Sequence, residues 1–229
     1  SVGYAAAKQD ASRPILEGVY VGYEDGKLIW MATDGLRLAK VSQMVDREMS
    51  IRCTIPRRAL AELTRLLDAD DDVTLQVYQS ASYVMFEWDG VKLFGRLYQG
   101  EYPDTSRVMP REFAAACRVE RKRLEEAVER VTILAENERH TVSLYVKDGV
   151  LELTSRSAER GHAREDVPLV AFSGEEVKVA LNARYVLEML EAVESSKVVR
   201  MQVARDRRSA LFSDEYDNVH LISAILTRD

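Results

Sequence analysis

Asp34, in the stretch ATDGLRLA at residues 32–39, is the first side chain whose type and setting could do chemistry: a carboxylate where an apolar run ends. With a second acid beside it, such a group holds a divalent metal or acts as a general base. The acidic run Asp68, Asp70, Asp71 and Asp72 could supply that partner and complete a metal-dependent phosphoryl-transfer site. Taken alone, the run also invites a calcium loop. Counted from Asp68, however, the sixth position is Val73 where the turn needs glycine, and the twelfth is Gln79 where a bidentate glutamate is needed. A solvated helix exit is the simpler reading.

Other reactive types are scattered. His140, His162 and His220 have no acidic or cysteine partner at ligand spacing, and Cys53 and Cys117 read as buried or incidental thiols. No glycine-rich loop joins a strand to a helix, and no Gly-Lys-Ser/Thr occurs. No serine or cysteine comes with a base to activate it. The expectation is a non-enzyme without catalytic residue, metal or cofactor, in which Asp34 and Gly35 make a tight bend that fixes Leu36, Arg37 and Leu38.

The elements around that bend repeat. IPRRALAELTRLL (55–67) and LNARYVLEMLEAV (181–193) each show a strand end, a Pro or Asn where a helix starts, and one apolar spacing. VTLQVYQ (73–79) and VRMQVAR (199–205) share Gln-Val at Gln76-Val77 and Gln202-Val203. Two hairpins extend the match, turning at Asp25-Gly26 and Asp148-Gly149, where both turn residues are expected at positive φ. The pattern predicts two homologous α+β domains joined near PDTSRVMPREF, at 103–113. The second opens with a strand and a helix whose apolar face is Leu124, Ala127, Val128, Val131 and Leu134. The first shows no counterpart of that opening, so the expectation is a chain that starts inside a repeat of a longer protein.

The 229 residues, 46% of them hydrophobic, suffice for two cores. No apolar run approaches the roughly 18 residues of a membrane span, and no signal pattern opens the chain, so a cytoplasmic protein is expected. A net charge of -6 argues against holding nucleic acid by bulk electrostatics. A local basic face is compatible with it: Arg57, Arg58 and Arg65, then Arg121, Lys122, Arg123 and Arg130, then Arg184 lie on the three helical stretches. They form either a solvated polar surface or a repeated phosphate-facing one.

Five ordered stretches, ASRPILEGV, MATDGLRLA, TIPRRALAELTRLL, RLYQGEYPDTSRVMP and LNARYVLEMLEAV, closely resemble the bacterial sliding clamp, the β subunit of DNA polymerase III. The resemblance covers essentially the whole chain. It implies an α+β fold of tandem DNA-clamp (processivity-fold) domains, with helices on the inner face and antiparallel sheets outside. In the family, such domains form a head-to-tail homodimer around duplex DNA, which is held without sequence specificity. On this reading, residues 1–110 are the middle clamp domain without its first strand and helix, and 111–229 are the C-terminal clamp domain. A monomer or weak, non-ring dimer is expected of them alone.

The resemblance further implies a pocket between these two domains. Clamp-binding peptide motifs of the polymerase III α subunit, the clamp loader δ subunit and repair polymerases dock there. By matching motif, its wall is Leu16, Thr33, Gly35, Leu36, Arg37 and Leu38 with Pro103, Arg107 and Val108; Arg37 and Arg107 are expected as polar contacts at the rim. The C-terminal domain adds Asn182, Tyr185, Ser209, Leu221, Ile222, Ser223, Ala224 and Ile225. Arg58, with Arg57, Lys122 and Arg184, would face DNA. Two departures stand out: the family's usual His or Tyr after the glycine is Leu36 here, and its Met-Pro ending is replaced by Ser223-Ala224-Ile225-Leu226. They motivate an alternative, a clamp-like interaction module or decoy not active in replication.

Overall fold

At Asp25-Gly26 the alternating residues of the first stretch fold back on themselves in the computed structural model, which describes residues 2–10, 12–67, 73–133, 140–157, 161–216 and 218–226. Both turn residues take positive φ, 49° and 79°, the geometry that matches strand twist in a two-residue hairpin. They join β1 (Gly18–Glu24) to β2 (Lys27–Thr33). With β3 (Arg37–Met44) and β4 (Arg52–Pro56) these strands form an antiparallel sheet in the order β3-β2-β1-β4. The chain divides after Asp104, and this sheet belongs to the first unit, Ser1–Asp104.

From β4 the backbone passes directly into α1 (Arg57–Leu66), because Pro56, at φ -54°, donates no ladder hydrogen bond and leads into helical geometry. A separate three-stranded sheet follows, in the order β5 (Gln76–Gln79), β6 (Tyr83–Trp88), β7 (Val91–Arg96). One core serves both sheets: Val21, Cys53 and Ile55 meet Val84, Phe86 and Trp88, with Leu63 of α1 and Leu97 between them. The acidic run at 68–72, and with it the calcium-loop and metal readings, lies outside the described residues.

The second unit, Thr105–Asp229, begins with β8 (Phe113–Glu120) and α2 (Arg121–Thr132). Leu124, Ala127, Val128 and Val131 of α2 are fully buried, the face that the spacing predicts; Leu134 falls outside the described residues. At roughly 1.5–3 kcal/mol per large apolar side chain, this face is what holds so short a helix in place. β9 (Thr141–Lys147) and β10 (Val150–Ser157) follow, then β11 (Gly161–Gly174), β12 (Val177–Asn182) and α3 (Ala183–Ala192). β13 (Val198–Ala204), β14 (Ser209–Ser213) and β15 (Val219–Ser223) complete the sheet, whose order is β12-β9-β10-β11-β8-β13-β14-β15. At its Asp148-Gly149 turn only Gly149 is at positive φ, 76°. The expectation of two left-handed residues fails there, because glycine alone supplies the bend.

The repeat in the sequence is a repeat of elements. Gly18 and Lys27 open β1 and β2, and the residues 123 positions on, Thr141 and Val150, open β9 and β10; α1 and α3 begin 126 apart, at Arg57 and Ala183. Cover differs at matching positions. Val142, Leu153, Val186 and Met189 are fully buried in the second unit, where α2 packs across the strands and against α3. Of their counterparts, Val19 and Leu63 are buried too, whereas Trp30 and Leu60 are only half-buried; all four line an open groove of about 570 Å³ with Tyr4 and Val41. Among the described residues no helix is long and apolar enough to cross a membrane.

The buried ionisable groups have structural consequences. Cys53 and Cys117 are buried, which pushes their thiols up to about 11 and about 12 and leaves them unreactive near neutral pH. His220, opposite Phe212 on β15, is 1% exposed. Burial lowers its pKa to about 4, against the opposing charge of Asp214. The folded state therefore favours neutral imidazole, so stability is full above the unfolded value near 6.5 and is lost as pH falls toward 4. His220→Gln should remove about 2 kcal/mol of the stability difference between pH 7.5 and pH 5, read from urea melts of both proteins at the two pH values.

Candidate functional site

Residues 33–38 are held by hydrogen bonds within the turn itself. Asp34 accepts at Oδ1 from the backbone N–H groups of Leu36 (2.9 Å) and Arg37 (3.0 Å), and at Oδ2 from Arg37 Nε (3.0 Å). Both carboxylate oxygens are thus committed to the turn, and Asp34 acts here as a structural acceptor. Thr33 mirrors it: its hydroxyl accepts from Gly35 N–H at 3.0 Å and donates to the carbonyl of Arg37 at 2.6 Å. Gly35 sits at φ +90°, where a side chain is strained. A Cβ on it would also approach Arg13 Nη2 to 3.3 Å, which places Arg13 against the turn.

The turn sorts its apolar residues. Leu38 is 2% exposed and Leu16, in the 3-10 turn Pro14–Glu17, is 1% exposed, whereas Leu36 is 57% exposed. The two expected wall leucines flanking the bend are therefore core, and Leu36 is the one offered to solvent. Arg37 departs from the expectation of a rim contact. Its side chain is buried, because Asp34 neutralises it at 3.0 Å and the Tyr4 ring lies 5.3 Å from its guanidinium.

Three contributors escaped the sequence reading: Tyr4, Arg13 and Tyr102. Tyr102 accepts the Thr33 N–H at its hydroxyl, at 3.0 Å, and its ring lies 5.6 Å from that of Tyr20. Desolvation pushes its pKa up to about 12. The EYPDT stretch carries it in plain view, but a hydrogen bond to a residue 69 positions away leaves no local signal.

Pro103 is exposed in the first unit, and in the second Arg107 and Val108 are exposed next to a turn closed by Val108 N–H to the Thr105 carbonyl. Asn182 caps α3, its side-chain oxygen accepting from Arg184 N–H (2.9 Å) and Tyr185 N–H (3.4 Å). Tyr185 is half-buried on the first turn of that helix. Ser209 lies opposite Ser223, and Leu221 and Ile222 are buried on the same ladder. Beyond it, Ala224 N–H bonds to Arg208 O and Ile225 N–H to Ala180 O, both at 2.8 Å. The second bond sets Ile225 beside Ala180 of β12, two residues before Asn182. Leu226 is 81% exposed.

The basic residues separate into two groups. Arg65 pairs with Glu62, Arg121 with Glu125 at 2.9 Å, Arg123 with Glu120 at 2.8 Å, and Arg130 with Glu165 at 2.8 Å. The pairs of Arg65, Arg123 and Arg130 are surface pairs of small energetic weight, whereas Arg121 and Glu125 are half-buried and Arg121 also donates to the Leu190 carbonyl at 3.2 Å. Arg58, Lys122 and Arg184 are exposed, and Arg57 is half-buried at the mouth of the groove beside α1; none of the four is in an ion pair among the described residues.

Breaking the turn at its hub has a measurable cost. Asp34→Ala should lower stability by about 3 kcal/mol, since it strands a buried guanidinium. The double change Asp34→Ala/Arg37→Leu should cost less than Asp34→Ala alone, and urea melts of the three variants give the comparison.

Comparison with known proteins agrees with the geometry. The family model for the DNA polymerase III beta subunit, central domain, matches residues 2–104, and that for the C-terminal domain matches residues 106–225. The beta sliding clamp of Staphylococcus aureus is 30% identical over 195 residues, 84% of this chain and 52% of that protein. The chain thus spans about half the length of the curated relatives it matches. Among solved structures, the DNA polymerase sliding clamp of Bacillus subtilis is 28% identical with a TM-score of 0.93, covering 99% of this chain and 60% of that one. The beta subunit from DNA polymerase of Streptococcus pyogenes is 27% identical with a TM-score of 0.92, over 99% and 62%. Two clamp-fold units with antiparallel sheets, each matched by its own family model in chain order, mean that the chain belongs to the DNA polymerase III beta subunit family, the bacterial sliding clamps.

Proposed function

We propose that the chain works as part of a processivity clamp, a non-catalytic protein that tethers a replicative polymerase to duplex DNA and docks its partners through short apolar peptide motifs. The observation that carries the docking role is Leu36, 57% exposed on a turn whose backbone is fixed by Thr33, Asp34 and Tyr102. An exposed leucine on a rigid turn offers a partner apolar area without an ordering cost. Pro103, Arg107 and Val108, and Asn182, Tyr185 and the Ser223–Ala224–Ile225 segment, are the further contact residues on this reading. Pro103, Arg107, Val108, Asn182 and Tyr185 are supported by matching motif, the Ser223–Ala224–Ile225 segment by its place after β15 although its residues depart from the family's ending, and each by its exposure or half-burial. A peptide that inserts a leucine and an aromatic ring gains about 1.5–3 kcal/mol for each buried group, and a few such anchors dominate a small interface. A micromolar Kd, on the order of 10 μM, is the expected scale.

Titrating a labelled Gln-Leu-Asp-Leu-Phe peptide tests this. Leu36→Asp should weaken binding by about tenfold or more while leaving the melting curve unchanged, since Leu36 is outside the core. No saturable binding at about 1 mM peptide, or equal affinity in the variant, sinks the docking role. Leu38→Asp is uninformative, because a charge at a 2% exposed position unfolds the unit.

The DNA-facing role rests on Arg57, Arg58, Lys122 and Arg184, cations on helices α1, α2 and α3 outside any ion pair among the described residues. Replacing Arg58, Lys122 and Arg184 by Gln should flatten the plot of log affinity for a duplex against log salt by about 0.9 for each phosphate that is no longer neutralised.

A further inference from the structure

The sheet of the second unit carries a pair of cations that the docking and DNA-tethering roles do not use. Across four adjacent strands, β11, β8, β13 and β14, the residues Ala171, Arg118, Arg200 and Ser213 lie directly opposite one another in a single row. Their neighbours on β8, Cys117 and Val119, and on β13, Val199 and Met201, are buried, whereas Arg118 and Arg200 are exposed. By the alternation of strands, Arg118 and Arg200 therefore stand on the opposite, solvent-facing side. Directly opposed side chains on neighbouring strands have Cβ atoms about 5 Å apart, and like charges in that relation repel.

The surroundings sharpen the problem. Small side chains, Ala116, Ala171, Ser173 and Ser213, line with both arginines a depression of about 490 Å³. Neither arginine has an ion-pair or hydrogen-bond partner among the described residues. Asp214 lines the same depression, but its carboxylate is occupied by the N–H groups of Tyr216 and Asn218 and by the Asn218 side-chain amide. Glu215 is exposed at the rim and takes part in no ion pair with either arginine among the described residues.

We propose that this depression is a binding site for a phosphomonoester dianion, held between Arg118 and Arg200 with the Ser173 and Ser213 hydroxyls at its border. Charge and oxygen counting select the ligand. One carboxylate satisfies a single guanidinium fork, and a backbone phosphodiester brings one negative charge. A terminal phosphate brings nearly two and three acceptor oxygens, enough for both forks at once. The proposal stands apart from the peptide-docking role and shares no residue with it.

Isothermal titration of the 229-residue chain in low-salt, phosphate-free buffer tests the assignment with three probes: inorganic phosphate, a nucleoside 5′-monophosphate, and a duplex oligonucleotide with 5′-hydroxyl ends. The first two should bind alike with a Kd on the order of 1 mM, weaken about tenfold in Arg118→Gln and in Arg200→Gln, and lose binding in the double variant. The oligonucleotide should be indifferent to these substitutions. In the same buffer each single variant should melt at or above the temperature of the unaltered chain, because the substitution relieves a repulsion. Equal phosphate affinity in all proteins overturns the site. A loss of oligonucleotide affinity as large as that for phosphate shows a diester surface instead, and single variants that melt several degrees lower show the arginines to be internal structural contacts; either result overturns the proposal.

Discussion

Strand β11 pairs with β10 through its first half, Gly161 to Pro168, and with β8 through its second, Leu169 to Gly174. The register shifts between Leu169 and Ala171, a bulge of the kind that bends a strand and lets one chain segment serve two directions of a sheet. Where β11 reaches β8 the backbones approach so closely that a Cβ on Gly174 would lie 2.3 Å from the Ala114 carbonyl oxygen, and Gly174 also takes φ +98°. Only glycine meets both conditions. β8 then hands the ladder to β13 and runs directly into α2, whose first N–H, at Arg121, bonds to the Lys197 carbonyl. Without this double pairing the strands under α2 and those running to β15 lose the ladder between them, leaving the Ile225 N–H to Ala180 carbonyl bond as a backbone link, and the apolar faces of α2 and α3 lose a continuous floor.

The first unit solves the same problem with side chains. Among its described residues no strand joins the β3-β2-β1-β4 sheet to the β5-β6-β7 sheet, and their backbone contact is the isolated bridge of Thr54 with Tyr98. The shared cluster of Val21, Ile55, Leu63, Val84, Phe86 and Trp88 takes over the work of the ladder. Hydrophobic contact is strong but non-directional, so it secures the approach of the two sheets without fixing their register. The polar network at residues 33–38 is tied to this sheet at the end of β2, where Tyr102 holds the Thr33 N–H.

Much of this was legible in the sequence because it is local. Asp-Gly pairs, apolar alternation and helical spacing act over a few residues, and they placed the two hairpins, the three helices and the buried face of α2. The bend at Asp34 was legible for the same reason. What the sequence could not show depends on distant partners. Arg37 reads as a surface cation until Tyr4 and the carboxylate of Asp34 are seen to enclose it. Leu16, Leu36 and Leu38 are equivalent as letters, and only the turn's orientation decides that one of them meets solvent. The opposition of Arg118 and Arg200 follows from a register between β8 and β13, strands separated by most of the second unit. The second hairpin shows the limit even of local rules: the same Asp-Gly pair closes two hairpins, with Asp25 left-handed and Asp148 not.

The polar network and the exposed leucine divide the labour within one turn. Thr33, Asp34 and Arg37 bond to one another within the turn, so its backbone is ordered without a ligand. Both Asp34 carboxylate oxygens and the Thr33 hydroxyl are engaged in the turn itself, which leaves those groups little to offer an outside partner. On the docking role proposed above, recognition at this turn rests on shape and apolar area at Leu36, which is 57% exposed where Leu16 and Leu38 are buried. A branched aliphatic group there offers a smaller, less polarizable contact than a ring and no hydrogen bond. On the proposed docking role it favours partners that bring aliphatic rather than polar surface to the turn.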